Sequence, residues 1–275
     1  MDYLREILRN KKNEIKSLDG KFKEKENIFK KRIDKNFIDG NFNFIKNISS
    51  NRVNIIAEIK KASPSRGMIN DCLDVEKVAL LYSKYKNFIS AISVITESVY
   101  FKGSIDFLKV VKKVSDLPVL RKDFIFHESQ IYESAALGAD CILLISSILG
   151  QKKLNKLYNM AKNLGLDVLV EAHSAREFDK AFNTGARLIG INNRNLKNME
   201  VNIGNTIDIL EHAASKDIKD KIIVCESGME NISYIKDLYK RGIRVFLIGS
   251  YFMQSKNLVH DLSDMEARLK RENLI

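Results

Sequence analysis

The sequence predicts an α/β protein, a (β/α)8 TIM barrel with an N-terminal helical extension. Eight short apolar runs, often β-branched, recur after residue 50, and amphipathic stretches separate them. Continuous apolar runs of this length are typical of parallel strands that are buried on both faces. The predicted strands are Asn54–Glu58, Ile89–Thr96, Pro118–Lys122, Cys141–Ser146, Asp167–Glu171, Arg187–Asn192, Lys221–Glu226 and Val245–Ser250.

The segments between these strands carry helix signals. Ile105–Val114 places its apolar residues on one face at helical spacing. Ser174-Ala-Arg-Glu177 is a capping-box pattern, and Gly185 is placed to end the helix that follows it. Eight strands alternating with helices over about 200 residues match a (β/α)8 barrel. A doubly wound open sheet, the competing architecture, would be favoured by a G-x-G-x-x-G turn after the first strand, and that turn is missing.

Residues 1–50 precede the first strand and are predicted to be helical. No linker rich in Pro, Gly or Ser divides the chain. We therefore expect residues 1–275 to form a single barrel domain, with residues 1–50 as an extension packed on the barrel.

Composition limits the class of protein. Hydrophobic residues make up 45% and charged residues 29%, which fits a globular chain rather than a disordered, collagenous or membrane one. Three cysteines are too few for a disulfide framework and favour a reducing compartment. The N-terminus lacks the apolar stretch of a secretory signal. These features predict a cytoplasmic protein.

The formal net charge of +11 predicts an anionic partner. Residues 1–50 hold 13 Lys/Arg against 8 Asp/Glu, an excess that solvated helix faces commonly carry. Nucleic acid, a membrane surface and a small phosphorylated substrate all fit the charge. The sequence has no basic stretches interleaved with aromatic residues, which single-strand binding would favour. A non-enzymatic nucleic-acid binder nevertheless stays open at this point.

Polar side chains follow seven of the eight predicted strands. Active sites of barrels lie at the carboxyl ends of the strands, so these side chains are expected to converge. The fourth strand ends in apolar residues, so Leu143 is a candidate for an apolar wall. The polar ends are Glu58 and Lys60, Thr96 and Glu97, Arg121–Asp123, Glu171, Asn192–Arg194, Glu226–Gly228, and Gly249–Ser250.

The loops after the seventh and eighth strands predict a phosphate site. Barrels bind phosphate there through backbone N–H groups, and glycine permits close approach of the backbone to an anion. Serine hydroxyls beside the glycines, and another in the first loop, add donors. The predicted phosphate-binding residues are Ser63, Gly228, Gly249 and Ser250.

Histidine spacing argues against a metal site. The four histidines, at positions 127, 173, 212 and 260, do not have the spacing of metal ligands, and we expect them to be surface or loop residues. No metal-binding residue is therefore predicted.

Motifs along nearly the whole chain resemble those of the indole-3-glycerol phosphate synthase family. Ile55–Gly67 (IIAEIKKASPSRG) resembles the first-strand signature, and the resemblance extends over about residues 1–265. Asn195 stands where an aspartate is usual. The other matching segments are Ser93–Ser104, Leu117–Asp140, Leu169–His173 (LVEAH), Ile189–Leu196 (IGINNRNL), Glu226–Gly228 and Leu247–Met253.

The resemblance implies a carboxy-lyase of tryptophan biosynthesis. Its substrate would be 1-(2-carboxyphenylamino)-1-deoxyribulose 5-phosphate, which loses CO₂ and water as the pyrrole ring closes to give indole-3-glycerol phosphate. It implies no metal and no organic cofactor. The expected partner is this small phosphorylated substrate, without nucleic acid or membrane; association with other tryptophan-pathway enzymes is a further hypothesis.

The resemblance also implies roles for individual residues. Lys122 matches the general acid of ring closure, Glu171 is the candidate general base, and Lys60 is a candidate to assist loss of the hydroxyl; how the two lysines divide the second step stays open. The expected catalytic residues are Lys122, Glu171, Lys60, Glu58, Asn192 and Glu226, and the expected substrate-binding residues are Arg194, Phe101, Leu143, Leu196 and Ser227.

A second barrel enzyme, phosphoribosylanthranilate isomerase, is the alternative within this pathway. Its chemistry is associated with a Cys/Asp pair in the barrel. The first strand here ends in Glu58-x-Lys60, which disfavours that alternative.

Overall fold

The structure, a computed structural model, describes residues 3–16, 43–196 and 198–275. Within these ranges, eight parallel strands close into a barrel, which confirms the predicted fold class. The order around the barrel is β1-β10-β9-β8-β7-β6-β5-β4, and β4 pairs with β1. The barrel strands are β1 (Asn54–Ile59), β4 (Ile89–Ile95), β5 (Val119–Lys122), β6 (Cys141–Ile145), β7 (Asp167–Ala172), β8 (Leu188–Asn192), β9 (Ile222–Glu226) and β10 (Val245–Ile248).

Helices follow the barrel strands, and a short antiparallel hairpin lies in the loop after β1. The hairpin consists of β2 (Ala62–Ser63) and β3 (Gly67–Met68). The helices are α1 (residues 3–16), α2 (Asn43–Ile48), α3 (Val75–Lys84), α4 (Ile105–Val114), α5 (Glu128–Ala136), α6 (Gln151–Asn163), α7 (Ala175–Asn183), α8 (Asn205–Ala213), α9 (Ile232–Lys240), α10 (Ser250–Met253) and α11 (Leu258–Arg271).

The predicted strands agree with the observed ones to within two residues at either end. The last strand stops at Ile248 because Gly249 leaves the extended conformation (φ −125°, ψ −64°) and becomes the N-cap of α10. Helix α4 has the predicted bounds. Ser174 caps α7 by accepting the N–H of Glu177, but the Glu177 carboxylate binds the N–H of His173 rather than that of Ser174.

Side chains alternate along each strand between two apolar layers. Ile55, Ala57 and Ile59 point outward and pack under the surrounding helices. Ile56 points inward and joins the barrel interior, which includes Leu120, Leu143, Leu169, Leu188, Val224 and Leu247. Since side chains alternate with a period of two, the residue two positions after each interior apolar residue also points inward, nearer the carboxyl end of the barrel.

The two described helices before β1 lie at opposite ends of the barrel. Helix α2 closes the amino end: Phe44 and Ile48 are fully buried, and the N–H of Ile45 donates to Asp167 Oδ2 at 2.9 Å. Helix α1 covers the carboxyl end, where Ile7 is 1% exposed. Residues 17–42 of the predicted extension lie outside the described residues.

A buried ion pair fastens α1 to the barrel. Lys11 Nζ lies 3.1 and 3.2 Å from the two carboxylate oxygens of Asp123, which follows β5. Asp123 also accepts hydrogen bonds from Thr96 and Arg121. Burial raises the pKa of Asp123, but Lys11 and Arg121 outweigh it and hold the pKa below its usual range.

The described part of the chain contains no helix long and apolar enough to cross a membrane.

We predict that Lys11→Met lowers the free energy of unfolding by about 1–3 kcal/mol at neutral pH, because Asp123 loses one of its two buried cationic partners. The neighbouring Lys12→Met, an exposed position on the same helix, is the control and changes it by less than about 0.5 kcal/mol. Urea unfolding measures both. Asp123 has a depressed pKa, so the Lys11 effect shrinks as the pH falls through the range in which Asp123 protonates. Equal urea midpoints for the two variants would contradict the prediction.

Candidate active site

One cavity at the carboxyl end of the barrel is lined by every residue to which the sequence analysis gave a catalytic, substrate-binding or phosphate-binding role. Their convergence supports the prediction of a site, while their individual roles stay predictions. The residues on its wall are Glu58, Lys60, Ser63, Phe101, Lys122, Leu143, Glu171, Asn192, Arg194, Leu196, Glu226, Ser227, Gly228, Gly249 and Ser250. Thr96, Arg121 and Asn193, which were also expected to converge there, do not line it.

The centre of this cavity is an ammonium group held between two buried carboxylates. Lys122 Nζ donates to Glu171 Oε2 at 2.8 Å and to Glu226 Oε2 at 2.9 Å. The side chains of Glu171 and Glu226 are 2% and 1% exposed, and that of Lys122 is 15% exposed. The three groups come from β7, β9 and β5, so only the closed barrel brings them together.

Burial and neighbouring charges shift the pKa values of Glu171 and Glu226 in opposite directions. Burial raises the pKa of Glu226 to about 8, with help from the nearby Glu171 and against the effect of Lys122. Burial also raises the pKa of Glu171, but Lys122 and His173 outweigh it and hold that pKa well below its usual range. Burial lowers the pKa of Lys122, yet the surrounding carboxylates keep it above the ordinary lysine value. The opposite directions of these shifts favour an ionised Glu171, a charged Lys122 and a proton on Glu226.

A second lysine, Lys60, directly follows β1. Lys60 Nζ contacts Glu58 Oε1 at 3.0 Å, and both side chains are largely buried, at 12% and 4% exposed. The negative charge of Glu58 also raises the pKa of Lys122. The cavity thus presents two ammonium groups that are each held by carboxylates on the barrel strands.

Arg194 brings a guanidinium group to the rim of the cavity. Its backbone N–H donates to Asn192 Oδ1 at 2.9 Å, and its Nη1 donates to Met199 O at 2.9 Å and Ser65 Oγ at 3.2 Å. Burial and the nearby Arg66 lower the pKa of Arg194. Two guanidinium groups close to one another favour an anion at this side of the mouth.

Three of the four predicted phosphate residues, Gly228, Gly249 and Ser250, lie after β9 and β10, while Ser63 lies on β2 in the loop after β1. Ser227 and Gly228 both have positive φ, 65° and 79°, so the chain turns sharply directly after Glu226. At Gly249 a Cβ would lie 2.3 Å from Glu58 Oε1. This glycine therefore leaves room for the Glu58 carboxylate, a reason that the sequence analysis did not give.

The apolar wall includes residues that the sequence analysis missed. Phe101, Leu143 and Leu196 lie on the cavity as predicted, and Leu4 and Ile7 of α1 join them. The apolar spacing of positions 4, 7 and 8 in the first helix would have indicated a face that packs on the barrel.

His173 is a loop residue, as predicted, because β7 ends at Ala172. Its side chain is nevertheless only 12% exposed and lies 3.2 Å from Glu171 Oε1. The sequence analysis gave it no part in the site, although it stands two positions after Glu171 at the carboxyl end of the strand. The side chains of His212 and His260 are exposed, as expected.

The fold and the cavity define a class of protein, a (β/α)8 barrel whose carboxyl-end cavity holds two ammonium groups and a guanidinium group beside buried carboxylates. The sequence model of the indole-3-glycerol phosphate synthase family matches residues 4–265. A relative named indole-3-glycerol phosphate synthase from Thermoanaerobacter pseudethanolicus is 42% identical over 271 residues, which cover 97% of this chain and 98% of the relative. One from Campylobacter jejuni is 44% identical over 205 residues, 74% of this chain and 77% of the relative.

The chain belongs to the indole-3-glycerol phosphate synthase family. This confirms the resemblance and the expected activity, a carboxy-lyase reaction of tryptophan biosynthesis that forms indole-3-glycerol phosphate, and it excludes the isomerase alternative.

Solved structures with low sequence identity share the fold. KGPDC from Streptococcus mutans has a TM-score of 0.60 at 12% identity, covering 80% of this chain and 98% of that one. Thiamine phosphate pyrophosphorylase from Pyrococcus furiosus has a TM-score of 0.57 at 13% identity, covering 81% and 97%. At such identities the likeness concerns the fold alone.

We predict that Gly190→Ala displaces the Glu226 carboxylate and lowers kcat at least tenfold. A Cβ at position 190 would lie 2.2 Å from Glu226 Oε1, and the carboxylate is too buried to move freely. Gly150→Ala is the matched control, since nothing lies within 4 Å of its Cβ and its φ of −69° suits alanine. Steady-state kinetics and a crystal structure of the variant check the prediction, and an unmoved Glu226 at full activity would contradict it.

We also predict that Glu226→Gln stabilises the protein increasingly, relative to the wild type, as the pH rises from 5 to about 8, and that the difference is constant above that pH. The raised pKa of about 8 means that the folded state binds a proton which the unfolded state releases near pH 4.5, so ionisation of Glu226 destabilises the fold. Glutamine keeps an acceptor for Lys122 and has no proton to lose.

The measurement is urea unfolding at several pH values. Glu211→Gln, at an exposed position on α8, is the control and should give a difference that does not depend on pH. The prediction is contradicted if the difference in the free energy of unfolding between Glu226→Gln and the wild type is also independent of pH. Glu226 would then ionise as easily in the folded state as in the unfolded one.

Proposed function

We propose that Lys122 is the general acid and Glu171 the general base of the synthase reaction. The observation that carries this proposal is the Lys122 ammonium, which is fixed by two buried carboxylates at 2.8 and 2.9 Å and faces the cavity. The substrate is 1-(2-carboxyphenylamino)-1-deoxyribulose 5-phosphate. Its aromatic ring, carboxylate and phosphate each have a matching part of the cavity wall.

Ring closure needs an acid at the ketone oxygen of the substrate. The aromatic carbon that carries the carboxylate attacks the ketone carbon, and a C–C bond forms while Lys122 gives its proton to the oxygen. The C–C bond to the carboxylate then breaks, CO₂ leaves, and its electron pair restores the aromatic ring. The carboxylates that raise the pKa of Lys122 ensure that its ammonium form is present when the substrate binds.

Dehydration needs a base and a second acid. Glu171, ionised because its pKa is depressed, takes the proton from the ring carbon next to nitrogen. The hydroxyl leaves as water, and Lys60, paired with Glu58 at 3.0 Å, supplies the proton. Loss of this water gives the double bond of the indole.

The remaining residues hold the substrate. Asn192, Arg194 and Lys60 orient the carboxylate without binding it so tightly that its loss is opposed. The apolar slot for the anthranilate ring consists of Phe101, Leu143 and Leu196, and the phosphate groove consists of Ser63, Gly228, Gly249 and Ser250. Ser227, directly before Gly228, is a further substrate-binding residue.

Several expectations about the surroundings of the enzyme are also proposals. We propose that residues 1–275 act as a single domain in the cytoplasm, without nucleic acid or membrane and without a metal or organic cofactor. Association with other tryptophan-pathway enzymes is part of the same proposal. Binding of duplex DNA at low salt, measured by fluorescence anisotropy, would contradict the exclusion of nucleic acid.

We predict that Lys122→Ala lowers kcat by about 10²–10⁴-fold, the usual contribution of a well-placed general acid. Indole fluorescence on the purified enzyme, without added metal, measures the rate. Lys109→Ala, an exposed lysine on α4, is the control and should keep the wild-type rate. Circular dichroism establishes that both variants are folded. A folded Lys122→Ala enzyme with the wild-type rate would refute the assignment of Lys122.

A further inference from the structure

Lys122 alone does not determine which of its two carboxylates is ionised. It lies 2.8 Å from Glu171 and 2.9 Å from Glu226, and both carboxylates are almost completely buried. Two like charges in such a site cannot both be present without a large cost, so the pair holds one shared proton. The asymmetry must come from the groups around the second oxygen of each carboxylate.

The second oxygens have different surroundings. Glu171 Oε1 lies 3.2 Å from His173 Nε2, a contact at ion-pair distance without hydrogen-bond alignment. Glu226 Oε1 is buried and has no hydrogen-bond partner within the described ranges. It points to the space that Gly190 leaves by lacking a Cβ. A cation beside one oxygen, and none beside the other, favours ionisation of Glu171.

Glu177 holds the imidazole of His173 in this position. Its Oε2 lies 3.1 Å from His173 Nδ1 and accepts the backbone N–H of His173 at 2.9 Å. The carboxylate is itself fixed in the first turn of α7, which Ser174 caps. The imidazole thus lies between two carboxylates, an arrangement that favours its cationic form.

We propose that His173 is a positioning residue that selects Glu171, rather than Glu226, as the ionised carboxylate beside Lys122. The inference rests on the proposed function, in which Glu171 is the general base. His173 acts through Glu171: it supplies a second positive charge to that carboxylate and leaves the shared proton on Glu226.

The charged groups around His173 support this assignment. Burial lowers the pKa of His173, but Glu171 and Glu177 outweigh it and raise the pKa to about 9. The charge of Lys180 lowers the pKa of Glu177, and Glu200 lines the same polar cavity as His173. On the far side of Glu171, the charged or titratable groups are Lys122 and Glu226. His173 is therefore an imidazolium at neutral pH.

The decisive experiment is carbon-13 NMR of the glutamate carboxyl groups between pH 5 and 9. Glu171→Gln and Glu226→Gln variants assign the two resonances. In the wild type, Glu226 is expected to titrate near pH 8, while Glu171 does not titrate. In His173→Gln, both resonances are expected to move together, because the proton is shared once the second cation is gone.

Kinetics provide the second readout. His173→Gln is expected to lower kcat by about 10- to 100-fold with KM changed by less than about threefold, since the base is displaced and partly protonated while the substrate contacts remain. His173→Lys restores a cation and is expected to recover part of kcat, which a purely structural role would not allow. His212→Gln, an exposed histidine paired with Asp179, is the matched control and should behave as the wild type.

Two results would overturn the inference: a Glu171 resonance in His173→Gln that stays constant as in the wild type, or an unchanged kcat. Should His173→Gln fail to fold, Glu177→Gln tests the same device, and unaltered titrations of His173 and Glu226 in that variant would also overturn it. Full activity of Glu171→Gln would instead refute the proposed function. An inactive Glu171→Gln beside an unaffected His173→Gln would refute this inference alone.

Discussion

The site depends on one constraint, that a lysine ammonium is buried together with more than one carboxylate. Removing charges from water is expensive, and the cost is offset only when each charge has close, well-oriented partners. Lys122 meets this condition through Glu171 and Glu226, and Lys60 through Glu58. These groups come from β1, β5, β7 and β9, so a small shift of any strand would leave a buried charge without its partner. The closed barrel supplies the rigidity that this arrangement requires.

The period of two along the strands explains why these charges share one level of the barrel. Ile56, Leu169 and Val224 fill the interior, and the residues two positions later are Glu58, Glu171 and Glu226. An apolar layer therefore supports a polar layer directly above it. Gly190 and Gly249 also belong to the polar layer, where the carboxylates of Glu226 and Glu58 occupy the volume that a side chain at these two positions would need. The polar layer is therefore closely packed, although its groups are charged.

The sequence predicted the fold well because apolar runs and helix caps, the two signals used, each depend on residues close together in the chain. Apolar runs identified the strands, and apolar spacing and cap residues identified α4 and the start of α7. The fifteen candidate site residues followed from strand ends and from the family motifs. Contacts between distant segments were not accessible in this way. Lys11 looks like any basic residue of a helix, and only the three-dimensional structure pairs it with Asp123 across the mouth of the barrel. His173 follows β7 as the predicted loop residue, but only the folded chain shows that its imidazole lies between Glu171 and Glu177.

The net charge of +11 acquires a more limited meaning once the site is known. A global excess of lysine does not identify a partner, because most of those side chains are solvated. The cations that matter are Lys60, Lys122 and Arg194, which line the cavity beside buried carboxylates. The substrate brings a phosphate and a carboxylate to these cations. In the proposed mechanism Glu226 holds the shared proton, so the anionic substrate meets only one ionised member of the pair. The same asymmetry leaves Glu171 available for the role of base that we propose for it.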